Sequence, residues 1–125
     1  MTDDSIFSVT PEPPYYAAIF TSQRTSGDNG YERMAEAMSA LAAQQPGYLG
    51  HDSARSSDGF GITVSYWRDE ESIRRWKQVA EHKGAQVLGA TRWYTRYELR
   101  VAKVERAYAG PEQRSAALAA AAALD

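Results

Sequence analysis

Four strand-like runs and two helical stripes, in the order β-α-β-β-α-β, predict an α+β fold: an antiparallel sheet with both helices on one face. Three observations carry this. The run FGITVSYW at 60–67 alternates strictly, as a strand with two distinct faces does. Asp58-Gly59 directly before it is a strong hairpin signal, so the preceding run at 48–55 should pair with it antiparallel. After it, Asp69 can cap a helix whose Ile73, Trp76, Ala80 and Val87 form one apolar stripe.

Taken in order, residues 1–14 form a leader ending in PEPP, a composition that disfavours both helix and central strand, so it lies across the surface or is disordered. The domain spans 15–106 and opens with the strand YYAAIFTSQR, β-branched and aromatic in content, followed by turn residues TSGDNG. Tyr31, Met34, Ala35, Met38, Leu41 and Ala42 then recur at helical spacing, with Asp28 or Asn29 as cap and Pro46-Gly47 as stop. In the strand at 60–67, Phe60, Ile62, Val64 and Tyr66 share one face and Gly61, Thr63, Ser65 and Trp67 the other. The more apolar set is expected to face the helices. Glu70 and Glu71 suit the first turn of the second helix, which Gly89 should end.

The last strand, 91–106, would run about 50 Å, longer than a small domain is wide, and is expected to be received by something beyond the monomer. Its faces read Trp93, Thr95, Tyr97, Leu99, Val101 against Tyr94, Arg96, Glu98, Arg100, Ala102. A homodimer packing two sheets together would receive the strand and cover the sheet face that lacks helices. The tail 107–125, ending AALAAAAALD, has helix propensity but few large side chains to bury and is given no function. The whole is the split pattern of a ferredoxin-like fold.

Composition narrows the function. The 125 residues make one domain, and a net charge of -2 supplies no general attraction to nucleic acid or to an anionic membrane. There is no cysteine for a disulfide, thiol nucleophile or thiolate metal site, and His51 and His82 are too few for a multi-histidine centre in one subunit. The start, MTDDSIFSV, is no export signal, and no run approaches the roughly 20 apolar residues of a spanning helix. A cytoplasmic protein is expected. No phosphate loop or nucleophile elbow is present.

YAAIFTSQR, LAAQQPGYLG and GITVSYWRDEESIRRW together carry a resemblance to the antibiotic biosynthesis monooxygenase family of dimeric α/β barrels, over about residues 15–104. The resemblance implies a substrate between sheet and helices, and oxidation of activated phenols or anthrones by oxygen with no bound metal or flavin. Heme-degrading members use a strand-1 asparagine, a helix-2 tryptophan and a downstream histidine that ligates iron. Here Gln23, Trp76 and His82 are the nearest positions. His82 lies about one turn closer to Trp76 than that pattern has it, which places heme as ligand or substrate second.

The candidate site follows from these residues. His82 is the candidate catalytic base for a phenolic or carbon-bound proton, imidazole being the side chain suited to proton transfer near neutral pH. Tyr66, Trp76, Trp93 and Tyr97 are more aromatic surface than so small a core needs, and with Gln23 they suit a flat ligand; Met34 and Met38 offer an adaptable wall. His51 is read as interface or solvent, and the arginines at 74, 75, 92, 96 and 100 as solvated or paired. Two functions fit: a cofactor-independent monooxygenase of an aromatic small molecule, or a non-catalytic dimeric binder of a hydrophobic metabolite.

Overall fold

The computed structural model describes residues 7–28, 30–86 and 93–110. Asn29, Val87, Gly89, Thr91, the first six residues and the tail from 111 lie outside them. The elements are β1 (Tyr15–Arg24), α1 (Tyr31–Ala43), β2 (Tyr48–Arg55), β3 (Phe60–Trp67), α2 (Glu70–Gln86) and β4 (Tyr94–Val104), the order that the sequence predicts. One antiparallel sheet runs β2-β3-β1-β4.

Local chemistry explains the boundaries. Asp58 closes the β2–β3 hairpin: its carboxylate accepts from the Phe60 amide and the Ser56 hydroxyl, while Gly59 takes φ +96°, a conformation that favours glycine. The Ser56 bond, then the Phe60 amide, hold the Asp58 carboxyl below the usual range. Asp69 caps α2, accepting from the Ser72 amide at 2.8 Å and the Ser72 hydroxyl at 2.7 Å. At α1 the cap position is Gly30, and Asp28 serves the turn from two residues back, its carboxylate accepting from Gly30 and Glu32 amides.

The registers sort side chains into rows across the helix face. Arg55, Gly61, Ser22 and Tyr97 form the first row; Ser53, Thr63, Phe20 and Leu99 the second. His51, Ser65, Ala18 and Val101 follow, then Tyr48, Trp67, Tyr16 and Lys103. The core sits over the last two rows, where buried Ala18 and Trp67 pack with Tyr16, Tyr48 and the α2 residues Ile73 and Trp76. Both helices cover this face: α2 through Ile73 and Trp76, α1 through Tyr31 against Arg24, Arg55 and Tyr94.

Two expectations are corrected. The face of β3 turned to the helices is Gly61, Thr63, Ser65 and Trp67; Phe60, Ile62, Val64 and Tyr66 point to the opposite side. A single residue, Trp67, supplies the apolar anchor that four were expected to give, and the three small residues beside it let the layers approach. The final strand has 11 residues, about 36 Å, and pairs along β1 from Tyr15 to Arg24, so its length is received within the monomer. A bulge at Gln23/Arg24 also moves Tyr94 onto the face of Tyr97, against simple alternation.

The described part of the leader lies on the sheet. The Ser8 amide donates to Asp52 Oδ1 at 3.0 Å, the Ser8 hydroxyl to the His51 carbonyl at 2.6 Å, and Thr10 to the Tyr15 hydroxyl at 3.0 Å. No helix among the described residues is long and apolar enough to cross a membrane.

Candidate functional site

The helix face of the sheet divides by chemistry. Toward β2 and β3 it is hydroxylated, with Ser53 and Thr63 bonded at 2.7 Å and Ser65 accepting from the Trp67 indole at 2.8 Å. Toward β4 it is aromatic and aliphatic: the Phe20 ring lies 5.4 Å from Tyr94 and 5.5 Å from Tyr97, beside Leu99 and Val101. Tyr97, Leu99 and Val101 stay exposed despite being apolar. A floor that is polar on one side and aromatic on the other suits a flat ligand bearing oxygen substituents.

One end of this floor holds a wall of rings. Trp67 stacks on Trp76 with centroids 6.2 Å apart, and Tyr48 meets Trp67 edge-on at 5.5 Å. The Tyr48 hydroxyl lies 2.6 Å from His51 Nδ1. Burial, then the Asp52 charge, pushes the Tyr48 phenol above its ordinary pKa, so it holds its proton at neutral pH. His51 is exposed and in contact with solvent.

The other end holds two arginines. Arg24 lies over the Tyr31 ring with its guanidinium carbon 3.6 Å from the centroid, and Arg55 lies 5.6 Å from the same centroid. Arg55 reaches over Gly61 and Ser22, donating to the Gly59 carbonyl at 2.5 Å, the Ser22 hydroxyl at 2.9 Å and the Tyr31 hydroxyl at 3.3 Å. Tyr94 is pushed up, first by burial and then by its bond to Tyr31, and remains a donor.

The sequence-predicted residues divide between the two sheet faces. Trp76, Met34, Met38 and Tyr97 belong to the helix side, the methionines half-buried on α1. Gln23 and Tyr66 lie on the opposite face of the sheet from these four. The Gln23 amide donates to the Asp58 carbonyl at 2.8 Å, and the Tyr66 hydroxyl donates to Asp52 at 2.8 Å. Gln23 instead borders a shallow concavity of about 300 Å³ with Phe60, Arg96 and Arg100. Trp93 is buried just before β4, its carbonyl accepting from the Thr25 amide.

His82 is exposed on α2, six residues past Trp76 and so about 120° around the helix from it. The Gln23, Trp76 and His82 set of the heme-degrading pattern therefore does not converge on one point, and no group of three metal-binding side chains occurs among the described residues. The sequence reading passed over Arg24, Arg55 and the Tyr48–His51 pair. A signal for Arg55 was present: closing the hairpin at Asp58-Gly59 sets Arg55 opposite Gly61, where a long cation can reach across the strand.

Comparison with known proteins gives the context. A family model described as antibiotic biosynthesis monooxygenase matches residues 28–88, the stretch that supplies α1, β2, β3 and α2. YqjZ of Bacillus subtilis, an uncharacterized protein, is 52% identical over 99 residues, covering 79% of this chain and 87% of that one. The jasmonate monooxygenase ABM of Pyricularia oryzae is 32% identical over 92 residues, 71% of this chain but only 43% of that longer protein. Among solved structures, SnoaB, a cofactor-independent oxygenase from Streptomyces nogalater, aligns with a TM-score of 0.63 at 18% identity, over 76% of this chain and 97% of that one. PA3566 from Pseudomonas aeruginosa aligns at 0.58 with 19% identity, over 78% and 98%. At such identities these two show the fold, and the sequence relatives and family model show the kinship: this chain belongs to the antibiotic biosynthesis monooxygenase family.

Proposed function

We propose that this chain is a monooxygenase that oxidises a phenolic or polycyclic aromatic small molecule with dioxygen, without a bound metal or flavin. The observation that carries the reading is that the family match covers both helices and the hydroxylated half of the floor on β2 and β3, with Trp67 and Trp76 stacked at its end. Trp76, Met34, Met38 and Tyr97 are the residues assigned to hold the substrate rings.

The chemistry needs a proton removed from an electron-rich ring system, because the resulting anion is what transfers electrons to oxygen. His51 takes the role of base that the sequence placed on His82. The substrate proton passes to the Tyr48 oxygen as Tyr48 gives its own to His51 Nδ1, and the exposed imidazolium returns a proton to water. Two substrate hydrogens are lost, one oxygen atom enters as the new carbonyl, and the other leaves as water.

The reading includes a cytoplasmic homodimer, the partner covering the sheet face that bears Phe60 and Ile62. Oxygen uptake by the purified chain with phenols and anthrones tests the activity. One dioxygen per product, unaffected by chelators and lost in His51→Ala and Tyr48→Phe, is expected. Binding of these compounds with no oxygen uptake would leave a non-catalytic binder instead.

A further inference from the structure

We propose that Arg24 and Arg55 form an anion subsite, so that the natural substrate is an aromatic acid whose carboxylate is held at the Tyr31 end of the floor. The inference rests on the functional reading above and narrows its substrate class.

Two guanidiniums gather on one tyrosine ring with no carboxylate partner among the described residues. The ion pairs there involve Arg68, Arg74, Arg75, Lys77, Arg96 and Arg100, and neither Arg24 nor Arg55 takes part. Like charges brought together in a partly buried place repel, and carbonyl and hydroxyl acceptors only partly offset that. Arg55 spends its donors on Gly59, Ser22 and Tyr31. Arg24 uses one nitrogen on the Gly27 and Asp28 carbonyls, but its Nε is buried with no acceptor among the described residues. An unbonded buried donor on a cation is costly, and a carboxylate oxygen would satisfy it.

The nearby acids do not fill the role. The Asp28 carboxylate is used by the Gly30 and Glu32 amides, and that of Asp58 by Ser56 and Phe60. A concavity of about 550 Å³ opens beside Arg24 between the β1–α1 loop and the hairpin, bordered also by Asp28 and Asp58, the two acids whose carboxylates are already engaged. On the sheet side the Tyr94 ring lies 5.8 Å from Tyr31 and 5.4 Å from Phe20, so an apolar ligand body has rings to rest on next to the charge. An aromatic acid matches both parts; a neutral hydrocarbon would leave the arginines uncompensated.

The test compares 6-hydroxy-2-naphthoate with its neutral carboxamide, both titrated into the intact chain at low salt by tryptophan fluorescence. The acid is expected to bind at least about tenfold more tightly, with Arg24→Gln and Arg55→Gln each erasing that preference. Because the wild-type pair needs no variant, misfolding of a substituted protein leaves the test intact. Equal affinity for the two compounds, a preference that survives both substitutions, or no binding of the acid at about 1 mM overturns the subsite. Oxygen uptake separates the two proposals: oxidation without preference for the acid removes the subsite alone, and preference without oxidation removes the monooxygenase alone.

Discussion

Trp67 on β3 and Trp76 on α2 stack with ring planes 23° apart and centroids 6.2 Å apart, and this contact ties the second helix to the sheet. Trp67 is wholly buried at 0% exposure while Trp76 is only half-buried, so the same ring type does different work on either side of the pair. Trp67→Ala leaves a cavity under α2 and should cost about 3–5 kcal/mol. Trp76→Phe keeps an aromatic contact and should cost below about 1.5 kcal/mol, while weakening ligand binding. Urea unfolding midpoints compared with ligand titrations check both, and equal destabilisation by the two changes would contradict this division.

Gly47, between α1 and β2, has φ +87°, and a methyl group added there would run into the Ser72 side chain. Its carbonyl also accepts from the Arg68 amide at 2.8 Å, so the turn is held from the far end of β3. Gly47→Ala therefore combines left-handed strain with a clash and should cost more than about 2 kcal/mol. Adding Ser72→Gly relieves the clash but not the backbone strain, so thermal melting should recover only part of the loss. Full recovery would show that strain at this φ contributes nothing.

Tyr66 carries a pH prediction. Burial, followed by its bond to the Asp52 carboxylate, raises its pKa to about 12. The unfolded phenol titrates near about 10, so the unfolded chain loses this proton first. The stability is therefore whole below about pH 10 and falls as pH rises through the folded value. Tyr66→Phe should flatten that alkaline decline without abolishing it, because Tyr94 and Tyr48 are raised as well. Melting temperatures from pH 8 to 12 measure the slope. An unchanged slope in the variant would mean the phenol ionises freely in the folded protein.

The element order was legible because Asp58-Gly59, Asp69 and the Tyr31 to Ala42 stripe act locally, through bonds within a few residues of themselves. The facing of β3 was not legible, for a physical reason. Hydrophobic alternation shows that Phe60, Ile62, Val64 and Tyr66 share a face, but not what that face meets. A helix layer and a second protein make the same demand on sequence. The site suffered accordingly: Tyr66 and Gln23 lie on the other face, whereas Trp76, read from helical period alone, packs against the helix-side core. Tyr94 was misassigned because the bulge at Gln23/Arg24 shifts the period by one residue, and no residue type announces that shift.

The opposite sheet face makes the last prediction. Phe60 is 46% and Ile62 40% exposed on it, flanked by Val64 and by the Arg96, Glu98, Arg100 ladder, whose charges pair with one another. Apolar side chains aligned on a sheet face and left in water form the kind of patch that two copies related by a two-fold axis can bury on each other. Leu99, 38% exposed, projects from the helix side and has no place in such an interface. The chain at micromolar concentration should therefore show twice its 13.8 kDa mass. Ile62→Lys should raise the dissociation constant at least about tenfold, and Leu99→Lys should leave the mass unchanged. If Leu99→Lys dissociates the protein and Ile62→Lys does not, the copies meet through the helix side of β4, and the floor assigned to substrate is interface instead.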